Sequence, residues 1–593
     1  SLNGGLGEMP QLLDFCVYDE RKKDNSGGIR GSKRDQRDKQ DKKGARGGGS
    51  PNEDANLPCE CDNPQQNPTG ILGECMLCKK RKSCVFDSRF ESGNLQRAWR
   101  TEGREKLMTK RSVAALEAQT GAREPSVAVD QEYSLWSRKD LNTGGNIQWY
   151  YFSVTSPPSL EEGASGGSPR TAVKYPFTAR FQIINMMKKD ALYNYGMKPA
   201  TLSCHDRDNI GKDWHHAGED VCYFKNGLTS HTVDTLGNPD RDEAAPKKKK
   251  VKQFYTLSFT YTFHRPDTVY FAHCYPYTYS DLQHFLHELE HNERIAKIMH
   301  RRLLCHTIAG NRCDILTITT RSNDKEEAMK RPAIVISARV HPGETNSSFA
   351  MHGLLRYLLS DQPEAISLRN SFVFKVVPMM NPDGVIHGNY RCSLAATDLN
   401  RRYANCNMYL HPTVSNMYRM LWNLQDSRGV LLYLDLHGHS KNKNVFVYGC
   451  DIVQQPEAWV RNDLAEKSRM DVIGQRVFCR TFPKLLECIS SSKEGGYFSF
   501  SDCKFNVGKG KKGTGRVVAW RDIGIEGSYT IELSFCGVGD NAETKLFRKA
   551  DEKRFDDILD ARNGKRKKRS TGGGGGGGMP AFSAGGAFTA GGN

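Results

Sequence analysis

No stretch of this 593-residue chain reaches about 18 consecutive apolar residues, which excludes a membrane-spanning helix. The opening residues are polar and glycine-rich, so no secretory signal is expected there. Apolar content is low, at 37%, and the deficit is local. Residues 21–50 are mostly Lys, Arg, Asp and Gly, with almost nothing to bury, and such a segment cannot pay the entropy of folding. A disulfide pattern is also missing. The 18 cysteines are scattered, many in apolar segments, which suits reduced thiols in a cytosolic protein. No internal repeat and no nucleic-acid-binding motif occurs. With 85 Lys+Arg against 68 Asp+Glu, a net +17, a nucleic-acid partner would rest on charge alone. The same excess attracts acidic proteins and speeds association with them.

What is present falls into four parts. Residues 1–82 read as disordered, with a cysteine cluster at their end. From 83 to 279, short aromatic-rich segments such as Phe177-Thr178-Ala179-Arg180-Phe181-Gln182-Ile183 and Val269-Tyr270-Phe271 alternate with turn residues, which predicts an all-β sandwich. Two insertions, at about 156–169 and 227–252, interrupt it. From 280 to 562, near-continuous apolar runs (315–319, 333–340, 372–378, 430–436, 529–535) alternate with helix-like stretches. That pattern predicts an α/β domain with a buried, parallel or mixed sheet. Residues 563–593 are a basic, then glycine-rich tail.

The chemistry concentrates in the third part. His341-Pro342-Gly343-Glu344 follows an apolar strand, and the Pro-Gly turn lets His341 and Glu344 converge on one metal ion. His437 ends another strand 96 residues later. Three protein ligands with a fourth position open to water is the pattern of catalytic zinc. Glu532 is a lone carboxylate in the apolar strand Tyr529-Thr530-Ile531-Glu532-Leu533, costly unless it faces a polar cleft. It is the candidate general base.

These words, with Asn381-Pro382-Asp383-Gly384, Gly388-Asn389-Tyr390-Arg391, Asp398-Leu399-Asn400-Arg401 and Asp435-Leu436-His437-Gly438-His439-Ser440, resemble the M14 metallocarboxypeptidases, specifically the cytosolic carboxypeptidase subfamily. Upstream, Ser88-Arg89-Phe90-Glu91-Ser92-Gly93-Asn94-Leu95 and Tyr193-Asn194-Tyr195-Gly196-Met197 resemble the β-sandwich that precedes the catalytic domain there. The resemblance spans roughly 85–555 and implies a mixed-sheet zinc carboxypeptidase domain. It implies that His341, Glu344 and His437 bind zinc, and that Arg391 stabilises the oxyanion. Asn400 and Arg401 would hold the substrate's terminal carboxylate, and Glu532 would act as base. Members of the subfamily remove glutamates from protein tails, so the resemblance implies tubulin, microtubules or other glutamylated acidic proteins as partners. It also implies a cytoplasmic, cytoskeleton-associated place. Arg516 is the candidate selector of a terminal glutamate, and Lys509, Lys511 and Lys512 would add long-range attraction for an acidic tail.

Alternatives stay open at this stage. His439 is the alternative ligand to the favoured His437, and a loop cation on a solvated face is the alternative reading of Arg516. Asp383 and Asp398 read as loop braces, and His411 as structural. Cys59, Cys61, Cys75, Cys78 and Cys84 have spacing suited to a second, structural zinc. The basic runs 247–250 and 562–569 read as nuclear import signals or as solvated charge. A catalytically silent binding protein and a carboxypeptidase of different C-terminal specificity are the competing functions.

Overall fold

Aromatic segments dominate the first half of the described chain, and they pair as strands. The computed structural model describes residues 82–101, 128–159, 172–229, 252–454, 469–490 and 496–537. Ten strands precede Tyr279: β1 (Val85–Asp87), β2 (Arg97–Arg100), β3 (Gln131–Trp136), β4 (Tyr151–Thr155) and β5 (Phe177–Met186) come first. They are followed by β6 (Ala200–Ser203), β7 (His215–His216), β8 (Glu219–Thr229), β9 (Gln253–Phe263) and β10 (Thr268–Ala272). They form two five-stranded sheets, ordered β1-β4-β10-β6-β7 and β2-β3-β5-β9-β8. One core holds them together. Phe181 lies 5.3 Å from Phe271 and 5.5 Å from Phe259, ring centre to ring centre, and Phe86 lies 5.1 Å from Tyr133. Such aromatic pairs each add about 1 kcal/mol beyond the area they bury. Gly227, expected to open an insertion, lies inside β8.

Seven strands follow: β11 (Met299–His306), β12 (Arg312–Ile318), β13 (Ala333–Ala338), β14 (Val373–Val377), β15 (Val430–His439), β16 (Val445–Tyr448) and β17 (Ser528–Ser534). Their order is β11-β12-β14-β13-β15-β17-β16. The central pairs β14–β13, β13–β15 and β15–β17 are parallel, and the outer pairs are antiparallel. Buried on both faces, β13 reads Ala-Ile-Val-Ile-Ser-Ala with every residue covered. Helices Tyr279–Glu290 and Thr345–Leu358 pack on one face, and Pro412–Arg428 and Gly515–Arg521 on the other. The parallel strands therefore open one shared carboxyl-end crevice, where ligands bind in sheets of this kind.

The sandwich is tied to that crevice. The Ser92 backbone N–H donates to the Ile386 carbonyl at 3.0 Å, and Asn94 Nδ2 to the Gly388 carbonyl at 2.8 Å. Gly388 has φ +69°, and a Cβ there would sit 2.6 Å from the Gly93 carbonyl oxygen, so no other residue fits. Two sequence words separated by almost 300 residues thus meet face to face. Every cysteine among the described residues is a free thiol. Cys84 is buried in the sandwich core, whereas Cys59, Cys61, Cys75 and Cys78 lie outside the described residues, as do most of residues 1–82 and the tail 563–593.

Candidate active site

The site begins with a turn. After β13, Arg339 takes φ +58° and buries its guanidinium beneath the His341–Glu344 loop. Its Nε donates to the Pro342 carbonyl at 2.8 Å, and Nη1 donates to the Tyr277 carbonyl at 3.0 Å and Ser348 Oγ at 2.8 Å. Gly343 brings its N–H to the Tyr390 carbonyl at 2.8 Å; a Cβ there would collide with the Tyr390 ring at 2.6 Å. The loop is thus clamped from below by an arginine and from the side by the strand-crossing segment that carries Arg391.

His341, Glu344 and His437 converge, all buried. His341 Nδ1 is 2.8 Å from Glu344 Oε1, His437 Nδ1 is 3.0 Å from Glu344 Oε2, and the two Nδ1 atoms are 3.2 Å apart. Each imidazole turns its other nitrogen to a carboxylate: His341 Nε2 to Asp398 Oδ1 at 3.2 Å, and His437 Nε2 to Asp435 Oδ2 at 2.8 Å. Those outer carboxylates set the tautomers and leave both Nδ1 lone pairs facing inward. His439 is not part of the cluster. Its Nδ1 accepts from the Asn442 N–H at 3.0 Å and its ring packs on Phe446.

Glu532 stands directly opposite His437 in the β15–β17 register. Burial, reinforced by the Glu344 charge, pushes its carboxyl up to about 7, with His437, His341 and Lys511 acting against the shift. Arg391 is held by Asp398, with Nε 2.8 Å and Nη2 2.7 Å from Oδ2. Arg401 lies 3.8 Å from the same carboxylate. Asp398 therefore does more than brace a loop: it joins His341 to both arginines, and the His341 hydrogen bond, followed by the His341, Arg391 and Arg401 charges, holds its carboxyl below the usual range despite burial. Asp383 braces loops as expected, accepting from Asn311 Nδ2 at 2.9 Å and the Ala309 N–H at 3.1 Å. His411 precedes the helix Pro412–Arg428 and accepts the Asn407 N–H at 3.2 Å.

Asn400 is buried, with its amide oxygen accepting the Gly515 N–H at 2.9 Å and its amide nitrogen 3.1 Å from His437 Nε2. With Nε2–H already directed to Asp435, that approach is a packing contact rather than a hydrogen bond. Arg516 is 5% exposed, hydrogen-bonded to the Gly449 carbonyl, and forms no ion pair among the described residues. The Tyr448 phenol is raised chiefly by burial, with the Glu532 charge adding to the rise and the Arg516 charge opposing it. Lys511, read from sequence as a distant attractor, is closer in: burial and the Arg401 and Arg391 charges lower its ammonium, and Glu532 opposes them.

The zinc carboxypeptidase family (Peptidase_M14) matches residues 282–553. Over 454 residues, 76% of this chain, the sequence is 40% identical to Cytosolic carboxypeptidase 3 of Mus musculus. The chain belongs to the M14 zinc carboxypeptidase family. Within that family it is also 37% identical over 483 residues to Cytosolic carboxypeptidase 2 of Danio rerio. The chain spans 37% and 55% of those two relatives' own lengths. A metallo-carboxypeptidase from Burkholderia cenocepacia superimposes with TM-score 0.49 at 18% identity, covering 77% of this chain and 90% of that one. No helix among the described residues is long and apolar enough to cross a membrane.

The family implies zinc, and the donor set fits it. Two nitrogens bound tetrahedrally at ~2.05 Å would stand about 3.3 Å apart, against the 3.2 Å found between the Nδ1 atoms. Two inward lone pairs and a carboxylate at such distances call for a cation between them.

Proposed function

We propose that this chain is a zinc-dependent carboxypeptidase that removes glutamate from acidic protein tails, through C-terminal peptide or side-chain isopeptide bonds, with glutamylated tubulin the foremost candidate substrate. The observation that carries it is the convergence of His341 Nδ1, His437 Nδ1 and Glu344 beside Glu532, within a cleft bearing Arg391, Arg401 and Lys511.

Zinc bound by the three ligands supplies Lewis acidity to a water molecule and to the scissile carbonyl. Glu532 takes the proton from that water as its oxygen bonds to the carbonyl carbon, and returns it to the leaving amine as the C–N bond breaks. Arg391 donates to the oxyanion that develops. Arg401 meets the free terminal carboxylate with its planar fork, and Asn400 lines the same end. Arg516, a buried cation without an ion-pair partner among the described residues, takes the γ-carboxylate of a terminal glutamate. Glutamate is thus the side chain that satisfies the pocket. The relatives' printed name supports a cytoplasmic location, and a tubulin substrate would make it cytoskeleton-associated. A nuclear role through the basic runs and a second zinc on the cysteine cluster remain parts of the proposal carried by sequence alone.

The test is glutamate release from polyglutamylated tubulin by the parent and by Glu532→Gln, with bound zinc measured in both. Release by the parent, loss in the variant and zinc in each are expected. Zinc without release from any acidic tail would overturn the glutamate assignment. Neither zinc nor turnover would favour the silent binding protein.

A further inference from the structure

A second cavity, of about 370 Å³, lies where the sandwich meets the catalytic fold. The sandwich loop 143–148, Met187, Lys188 and Lys252 form one side, and Tyr390 with Arg391 the other. It shares Arg391 with the reaction centre but none of Asn400, Arg401, Lys511 or Arg516. Among its lining residues there are three cations and no carboxylate.

Lys188 is the informative member. It extends β5 beyond Met186 and is carried by the sandwich, yet its ammonium reaches the catalytic fold. There it hydrogen-bonds the Tyr390 hydroxyl, lies 2.5 Å from Ser440 Oγ, and sits 4.6 Å from the centre of the Tyr390 ring. Its partners among the described residues are neutral hydroxyls, and no ion pair forms. A half-buried ammonium satisfied only by hydroxyls gains when a carboxylate arrives. Lys252 Nζ, donating to the Gly144 carbonyl at 2.8 Å, adds a second positive charge at the outer rim. A chain whose last residue occupies the Arg401–Arg516 end has its scissile carbonyl at Arg391. The residue before it continues past Arg391, and this cavity is lined by Arg391 but by none of the residues at the Arg401–Arg516 end.

We propose that this cavity is a carboxylate subsite for the residue on the N-terminal side of the scissile bond, with Lys188 as its recognition cation. The enzyme then reads two consecutive acidic residues, one with each half of the fold. This rests on the glutamate-removing reading above and deepens it.

The experiment compares peptides ending in Glu-Glu and Ala-Glu with the zinc-loaded parent, Lys188→Met and Lys188→Arg. The parent should prefer Glu-Glu by about tenfold in kcat/KM, an effect of partly buried ion-pair size. Lys188→Met should bring the ratio near one, and Lys188→Arg should restore it. If Lys188→Met lowers both substrates together and leaves the ratio, Lys188 is only structural and the inference is overturned. A parent without preference overturns it as well. Binding of the two peptides to Glu532→Gln separates this from the broader reading. Discrimination in binding that Lys188→Met abolishes, without turnover by the parent, overturns the hydrolase reading and keeps the subsite. Equal binding overturns the subsite.

Discussion

Asp140 holds the backbone of Arg391 from the other half of the molecule. Its carboxylate accepts the N–H of Tyr390 at 2.6 Å, of Arg391 at 2.8 Å and of Cys392 at 2.7 Å, across some 250 residues of sequence. Burial raises the carboxyl, and the three N–H groups oppose that rise. The sandwich thus helps to aim Arg391, the proposed oxyanion donor.

Replacing Asp140 with Ala leaves three buried N–H groups without acceptors. A loss of about 3 kcal/mol in stability is expected, together with a fall of about a hundredfold in kcat from a misplaced Arg391. Asp140→Asn keeps one acceptor oxygen and should lie between. Thermal unfolding and steady-state kinetics on the two variants check this; an Ala variant with parental kcat would remove Asp140 from the positioning of Arg391.

The zinc site offers a separate measurement. Asp435 is fully buried, accepts from Ser337 Oγ at 2.7 Å and faces His437 Nε2 at 2.8 Å. Asp435→Asn should weaken zinc by about 10–100-fold, the usual cost of losing an outer partner of a ligating histidine. Metal competition titrations read it directly. Chelation should also lower the melting temperature of the parent, and excess zinc should restore it. His341→Ala should show no such response to zinc.

Arg516 tests the side-chain pocket. Arg516→Met exchanges a buried cation for a chain of similar length, and the preference for terminal glutamate over terminal leucine should fall by about a hundredfold. A variant that keeps its glutamate preference would return Arg516 to the role of a structural tie to Gly449.

Much of this was legible before the structure because it sits at strand ends. His341, Glu344, His437 and Glu532 each follow or occupy an apolar run, and a charged or ligating residue there has few explanations other than a crevice. The mixed sheet was legible for the same reason, since buried strands such as β13 are uninterrupted apolar runs. Arg339, Asp140 and Lys188 were not legible. Arg339 acts by turning inward beneath its own loop, Asp140 and Lys188 act on groups about 200 or more residues away, and nothing local distinguishes Asp140 from a solvated loop carboxylate. Asp435 lay inside a recognised motif, but its role depends on which way the His437 ring turns. Lys511 was read as one of three surface charges, and only packing separates it from its neighbours Lys509 and Lys512.

Lys188 carries a pH dependence of its own. Burial, with Arg391 adding to it and Glu344 and Glu532 opposing, brings its ammonium down to about 8. The other groups facing it are the Tyr390 phenol, held above its ordinary value chiefly by burial, and the His439 and His273 imidazoles, pushed down to about 4 and about 3 chiefly by burial. None of these three changes charge between pH 7 and 9, whereas Glu532, pushed up to about 7, gains its charge at the lower end of that window and there favours the ammonium. The folded value lies below the ordinary 10.5, so the charged form costs stability below pH 8, and that cost disappears as pH rises from there toward the unfolded value. Recognition of a carboxylate needs the charged form. The Glu-Glu over Ala-Glu ratio should therefore be lost in acid, where the substrate carboxylate is protonated (ordinary value about 4.3), and fall again as pH passes 8, with the bound carboxylate moving that upper midpoint upward. Lys188→Arg, whose guanidinium stays charged, should hold its ratio to pH 9. Equal pH profiles for the parent and the arginine variant would show that the ammonium does not read the substrate.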